Sequence, residues 1–380
     1  MDHPYPRTLI VDLSVRYGGT SSRVLSLLEH LPPGRVGLAG LRGSAILEKA
    51  SAGGFATHVV GDHKLDLSIP ARLARTAREE GFQVFDTQNV QSKLWTSRAV
   101  RRGGVAFVST LNSWYFDEHG GDWKGRLYQS AERATSRDLD LYITVSSRDK
   151  ASLMAQGFPE DGIVVIRNAV ALDPDAIQGD RAWLLERFAL PPDAIVVVSA
   201  GRLVPVKGYP EMIGAVGSLA SDLPIYYLIM GSGEEESNLH ALIHGAGLGE
   251  RVRLLGWRER SEVLQIIKTA DVFAMPSRYE GTPVALLEAA ALARPILATK
   301  AGGMPDQVTD GEHALLAQPG DSADLARQLK RLCVDRALAE QLGRQAQART
   351  LSEFTPVRQA EATMQAHHKA YERARARTAG

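Results

Sequence analysis

Glu280 and Glu288 close the two ends of the stretch EGTPVALLE, and they differ in the chemistry open to them because their surroundings differ. Thr282 suits a helix N-cap and Pro283 the first helical position, so the sequence predicts a helix opening at Pro283. The first amides of that helix, on Val284 and Ala285, would then form a seat for a phosphate or other anion. Glu280 lies in the loop before it. Glu288 lies in its second turn among Leu286, Leu287, Ala289, Ala290, Ala291 and Leu292, with no charged residue at helical spacing. A buried carboxylate needs donors. Either vicinal hydroxyls of a ligand or a Lys or Arg on an adjoining element would supply them, and the pattern leaves both open.

A second set of chemically able residues stands in SAGRLVPVKGYPEMI, where Arg202 and Lys207 lie between Gly201 and Gly208 at the end of an apolar run. Arg can clamp phosphate oxygens bidentately, Lys adds a point charge, and glycines let the backbone come close, so this loop suits a diphosphate. In LIMGSGEEESNL, Gly231 and Gly233 mark a further strand end, although glycines there also serve tight turns. Aromatic and amide side chains gather elsewhere, in LNSWYFDEHGGDW and DTQNVQSKLW. Trp114, Tyr115, Phe116 and Trp123 could face sugar rings or simply anchor a loop, and Gln88, Asn89 and Asn112 could bind hydroxyls beside them.

These residues need elements to hold them, and the hydrophobic pattern supplies the elements. TLIVDLS is followed by a glycine turn and a helix with apolar Val24, Leu25, Leu27, Leu28 and Leu31, which is a βα unit. RVGLAGL, ATHVVG, FQVFDTQ, VAFVSTL and LYITVS continue the series. A second series comprises AIVVVSAGRL, IYYLIMGSG, VRLLG, DVFAMPS and PILATK. Strands alternating with helices imply an α/β fold with two doubly wound parallel sheets, expected to face each other with ligands at the carboxyl ends of their strands, in the cleft between. The polar stretch PDAIQGDRAWLLERFALPPD is read as the linker. The domains are therefore set at 1–172 and 190–355, with a C-terminal helix at about 356–380 packing back on the first.

With 380 residues and 44% of them hydrophobic, the chain can bury two cores. Its 44 basic and 44 acidic side chains give no bulk charge to hold a nucleic acid. The single cysteine, Cys333, excludes an internal disulfide and a Cys-only zinc cluster. Ten scattered histidines suggest no metal site, and the adjacent His367 and His368 read as solvated, like Arg373, Arg375 and Arg377. The opening MDHPYPRTLIVDLS lacks a signal-peptide pattern and no run reaches the ~20 apolar residues of a membrane span, so a cytoplasmic protein is expected.

In order, GRLVPVKG, GSGEEESNL, RVRLLGW, ADVFAMPSRYEGTPVALLEAAALARPILATKAGGMPD and DGEHALLAQPGD resemble the C-terminal domain of retaining GT-B glycosyltransferases of family 4. YGGTSSRVLSLLEHL resembles the first glycine loop of that family, and ITVSSRDKASLMAQGFPEDGIVVIRNAV the stretch before its second domain. Glu280 and Glu288 match its paired glutamates. The resemblance implies a sugar transferase (EC 2.4) using a nucleotide diphosphate sugar, with no cofactor and no obligatory metal. It implies that Arg202 and Lys207 hold the diphosphate, that Glu288 receives the ribose hydroxyls, and that Glu280 contacts the transferred sugar. Thr282, Pro283, Val284 and Ala285 would touch sugar or phosphate, Trp257 and Arg258 the base, and Gly18 and Gly19 the diphosphate or acceptor. The acceptor would be a carbohydrate, a lipid-linked or a small molecule, compatible with peripheral membrane association, and the oligomeric state is left open.

The sequence departs from the family pattern in EGTP, where EGFG is commoner, and in Asn112, where the family often has a histidine; an asparagine cannot act as acid or base. A dinucleotide-dependent oxidoreductase would need G-x-G-x-x-G after the first strand, which RYGGTSS lacks. A sugar phosphorylase and a catalytically silent nucleotide-sugar-binding subunit share the fold and stand as the alternatives.

Overall fold

A computed structural model describes residues 5–15, 18–100, 105–112, 130, 132 and 134–379. They form two compact units, Met1–Ala169 with Pro356–Gly380, and Val170–Thr355. In the first unit the strands are β1 (Thr8–Val11), β2 (Val36–Leu41), β3 (Ala56–Gly61), β4 (Val84–Thr87), β5 (Ala106–Leu111), β6 (Leu141–Thr144) and β7 (Ile163–Val165). They lie in the order β3-β2-β1-β4-β5-β6-β7, every pairing parallel. The second unit holds β8 (Ile195–Ala200), β9 (Ile225–Met230), β10 (Val252–Gly256), β11 (Val272–Met275), β12 (Ile296–Thr299) and β13 (Leu315–Ala317), in the order β10-β9-β8-β11-β12-β13, again parallel. Each unit is a Rossmann-like doubly wound sheet, as the strand and helix alternation implies.

A parallel sheet covered on both faces needs apolar side chains on both, which explains the unbroken apolar runs. In β8, Val196 and Val198 enter one core and Val197 the other; in β9, Leu228 and Met230 face the first while Tyr227 and Ile229 face the second. Cys333 is half-buried, and burial pushes its thiol up to about 12, so it is an unreactive packing residue.

Three expectations are corrected. The polar stretch read as a linker is part of the second unit: its Arg181–Arg187 helix carries Leu184, which joins Phe188 and Leu190 in the core, and Arg181 grips both oxygens of Asp271 at 2.8 Å. The chain passes between units at Ala169/Val170 and Thr355/Pro356 instead. His367 is not solvated. It lies on the Pro356–Ala379 helix, wholly buried, where Tyr5 Oη sits 2.6 Å from its Nδ1 and Asp86 Oδ2 3.0 Å from its Nε2. Of the terminal arginines, Arg375 and Arg377 are exposed as expected, Arg377 pairing with Asp140 at 2.9 Å, whereas Arg373 is half-buried and pairs with Asp161. Ala366, Ala370 and Ala374, at a spacing of four on that helix, are small enough to pack it onto Val84, Val108 and Ile143 of the first sheet.

A second buried charge sits in the same unit. Lys93 is 1% exposed and donates to Tyr142 Oη at 2.6 Å and to Glu132, while Tyr142 donates to that same Glu132 oxygen at 2.9 Å. Burial draws the Lys93 ammonium down to about 8, and Glu132 is the countercharge that opposes this. Removing one member of such a pair strands the other in a dry interior. Lys93→Met is therefore expected to lower stability by about 3–5 kcal/mol, read as a fall in the urea midpoint at unchanged m-value.

Candidate active site

In the second sheet, connectivity reverses between β8 and β11, and at such a point the loops after the two strands diverge and leave a crevice. The β8 loop carries Arg202 and Lys207; the β11 loop carries Glu280. Backbone contacts join the two. Arg278 N donates to Val206 O at 2.7 Å, and Gly208 lies so close under the Pro276 carbonyl that a Cβ there would stand 2.1 Å from its oxygen. With φ +65°, Gly208 also holds a conformation that glycine favours.

Lys207 Nζ donates to Glu280 Oε1 at 2.5 Å, and Ser277 Oγ donates to the same oxygen at 2.8 Å. Both charged side chains are largely buried, at 16% and 13% exposure. Arg202, in contrast, is exposed and has no ion-pair partner among the described residues. Tyr209 lies buried beside this pair, and burial first, then the Glu280 charge, raise its phenol above the usual range. The β12 loop fixes Glu280 from the other side: Gly303 N donates to its carbonyl at 2.9 Å, and Thr299 Oγ1 donates to Ser277 O at 2.5 Å.

Glu288, 7% exposed, has a partner of its own. Arg260 donates to Glu288 Oε1 from Nε at 2.9 Å, with Nη2 at 2.8 Å from the same oxygen. Burial raises the Glu288 carboxyl above its ordinary range and Arg260 pulls it partly back. Of the two readings left open for this carboxylate, the free chain adopts the ion pair. Arg260 was not singled out in the sequence; its trace there is WRER, cations just past the β10 strand, with nothing local to tie them to Glu288. Trp257 and Arg258 lie in the same loop, Trp257 64% exposed and Arg258 Nε 3.7 Å from Glu262.

The helix after Glu280 begins one residue later than expected. It runs Val284–Ala291 with Pro283, not Thr282, at the cap position, ψ 125°. Gln307 Nε2 donates to the Pro283 carbonyl at 3.2 Å, and proline has no side-chain acceptor, so no side-chain cap bond forms there. Gly231 and Gly233 have a reason within the fold itself: their Cβ atoms would stand 1.9 Å from Gly201 O and 2.2 Å from Leu203 O.

In the first unit, the corresponding reversal falls between β1 and β4. Gln88 is buried there, and Asn112 Nδ2 donates to its carbonyl at 2.9 Å. Asn89 is occupied by the fold: its Oδ1 accepts from Ser92 N at 2.8 Å and its Nδ2 donates to Asp12 Oδ1 at 2.9 Å. A Cβ on Gly18 or Gly19 would meet nothing within 4 Å among the described residues, so packing does not require these glycines. Trp114, Tyr115, Phe116 and Trp123 lie outside the described residues. Among the described residues there is no cluster of three His, Cys, Asp or Glu side chains able to hold a metal, and no helix long and apolar enough to cross a membrane.

The family model described as Glycosyl transferases group 1 matches residues 183–349, and that described as Glycosyl transferase 4-like domain matches residues 18–169. A lipopolysaccharide core biosynthesis glycosyltransferase, LpsE, of Rhizobium meliloti (strain 1021) is 32% identical over 46% of this chain and 49% of its own. A 2-deoxystreptamine glucosyltransferase of Streptomyces kanamyceticus is 31% identical over 56% of each. The chain thus spans about half the length of the curated relatives it matches. The crystal structure of Anabaena Alr3699/HepE in complex with UDP shares the fold, with TM-score 0.82 at 20% identity over 94% of this chain and 98% of that one.

Gly302 offers a test of how Glu280 is positioned. Its φ is +56° and a Cβ would stand 1.7 Å from the Glu280 carbonyl oxygen, whereas Gly311, at φ +75°, has nothing within 4 Å. Gly311→Ala is expected to cost about 1 kcal/mol, from backbone strain alone. Gly302→Ala is expected to cost clearly more in the same chemical denaturation, because the Glu280 carbonyl must move as well.

Proposed function

We propose that this chain, which belongs to the glycosyl transferases group 1 family and is family 4-like, moves a sugar from a nucleoside diphosphate sugar to an acceptor hydroxyl with retention at the anomeric carbon. The observation that carries this reading is the Lys207–Glu280–Ser277 cluster at the reversal point of the second sheet, with exposed Arg202 on the same loop as Lys207. A loop with two cations suited to phosphates meets, through Lys207, a carboxylate suited to a sugar.

In this reading the second unit binds the donor. Arg202 and the two remaining Lys207 N–H donors take the diphosphate oxygens, the first amides of the Val284–Ala291 helix add to them, and Glu288, released in part from Arg260, receives the ribose hydroxyls. Trp257 and Arg258 lie along the base. As the bond from the anomeric carbon to the diphosphate breaks, the acceptor oxygen bonds to that carbon on the same face, and its proton passes to the departing phosphate oxygen. Charge developing on the diphosphate is met by groups already in place, and each such donor is worth ~10²–10³ in rate. Glu280, held by Lys207 and Ser277, acts as an electrostatic partner of the sugar. Arg202 and Lys207 take the part a divalent ion has at phosphates in other enzymes, so no metal is required. The first unit binds the acceptor. The Anabaena structural neighbour was also solved in complex with UDP-glucose, which supports a uridine nucleotide sugar as the first donor to try.

Heat protection by nucleoside diphosphates and a panel of their sugars tests this. Stabilisation by at least one is expected, and none by any of them would remove the transferase reading. Glu288→Ala should weaken nucleotide affinity more than Glu280→Ala, which should chiefly slow turnover at saturating donor. Equal losses of donor affinity in calorimetry would show the two roles to be misassigned.

A further inference from the structure

At the carboxyl ends of β1, β4 and β5 the first unit buries a guanidinium whose hydrogen bonds are mostly unmade. Arg23, on the Gly19–His30 helix, is 4% exposed. Its Nη1 reaches Gln88 Oε1 only at 3.4 Å, while Nε and Nη2 have no partner among the described residues. Those two nitrogens share one edge of the planar group, the edge that grips two oxygens of a carboxylate or phosphate in parallel. Gln88 adds to it. Asn112 Nδ2 lies 3.4 Å from Gln88 Oε1, so two donors point at that oxygen and fix the amide orientation, leaving Gln88 Nε2 as a further unpartnered buried donor. Two acceptors at the same strand ends, Asn112 Oδ1 and Asp12 Oδ2, are likewise unpartnered among the described residues.

The surroundings favour an anion at the guanidinium edge. Burial brings Arg23 down to about 10, still charged at neutral pH, and Asp86 is the charge that opposes the shift. Asp86 is itself engaged, accepting from Thr110 Oγ1 at 2.7 Å and lying 3.0 Å from His367 Nε2. The helix start nearby has no side-chain cap bond and no acidic residue in its first turn. Gly19, four residues before Arg23 and so on the same helix face, has open space around it among the described residues.

We propose that Arg23 and Gln88 form an oxyanion subsite for the acceptor, and hence that the acceptor is a sugar or cyclitol carrying a phosphate or carboxylate, with its hydroxyls donating to Asn112 Oδ1 and Asp12 Oδ2. This rests on the transferase reading and narrows its acceptor. Fork, amide and the two acceptors together match a ring that is both acidic and hydroxylated; a neutral sugar would leave the Arg23 edge without an anion.

The side-chain Nε–H resonance of Arg23 in the full chain, saturated with UDP, tests it. The resonance is assigned by its loss in Arg23→Lys, or by through-bond connection to the backbone if that variant does not fold. Glucose 6-phosphate, glucuronate and glucose are then titrated separately. We expect the resonance to move with one of the two acidic sugars at a concentration at least about tenfold below any effect of glucose. Movement with the phosphate ester assigns a phosphorylated acceptor, and movement with the uronate an acidic sugar. No movement with either, or equal movement with glucose, would overturn the proposal. So would a shift caused by UDP alone and not altered by the acidic sugars, since the fork would then serve the donor. If UDP gives no heat protection at all, the transferase reading itself has failed, whatever Arg23 does.

Discussion

The contact between Lys207 and Glu280 joins loops that the topology of a doubly wound sheet would otherwise send apart. After β8 the chain turns toward one face and after β11 toward the other, so no regular backbone ladder continues past the strand ends. What holds the gap is a short set of contacts: the ion pair, the Arg278 to Val206 backbone bond, and the close fit of Gly208 under Pro276. The catalytic candidates are thus part of the scaffold that positions them. In the free chain Lys207 and Glu280 neutralise each other, which lets two charges sit at low exposure without a ligand. Under the donor-binding role proposed for this loop, a diphosphate at Lys207 would share its charge and make the Glu280 carboxylate more available to a sugar.

The same economy recurs at Glu288. An isolated carboxylate on an apolar helix would be costly, and Arg260, 61% exposed, reaches in to compensate it. The long, half-solvated arginine regains water when it leaves, so the cost of its leaving falls on Glu288, which then needs other donors in its place.

Much of the fold was legible because a two-faced parallel sheet leaves unbroken apolar runs. β8, β9 and β11 announce themselves in VVVS, YYLIM and VFAM. β13, at three residues, is too short to carry a pattern, and the Arg181–Arg187 helix was hidden by a polar surface around one buried leucine, Leu184. At the site, loops rich in Gly, Arg and Lys at strand ends were readable, since their chemistry is local. Pairings across the sequence were not. Nothing near residue 288 points to Arg260, nothing near 367 points to Tyr5 and Asp86, and Arg23 reads as one more polar position on an amphipathic helix. Thr282 shows the opposite failure: the local rule was sound, but Pro283 keeps an extended ψ of 125° and takes the cap position itself, one residue later.

The return of the Pro356–Ala379 helix to the first unit has a bearing on biosynthesis. Val170 N donates to Phe354 O at 2.9 Å, so the chain enters and leaves the second unit at neighbouring points, and that unit is in effect a long insertion within the first. Its sheet and both of its cores are complete before residue 356 is made. The first unit, although it emerges from the ribosome earlier, has to wait for His367 to fill the space between Tyr5 and Asp86. The domain translated second can therefore be the first to reach its finished form.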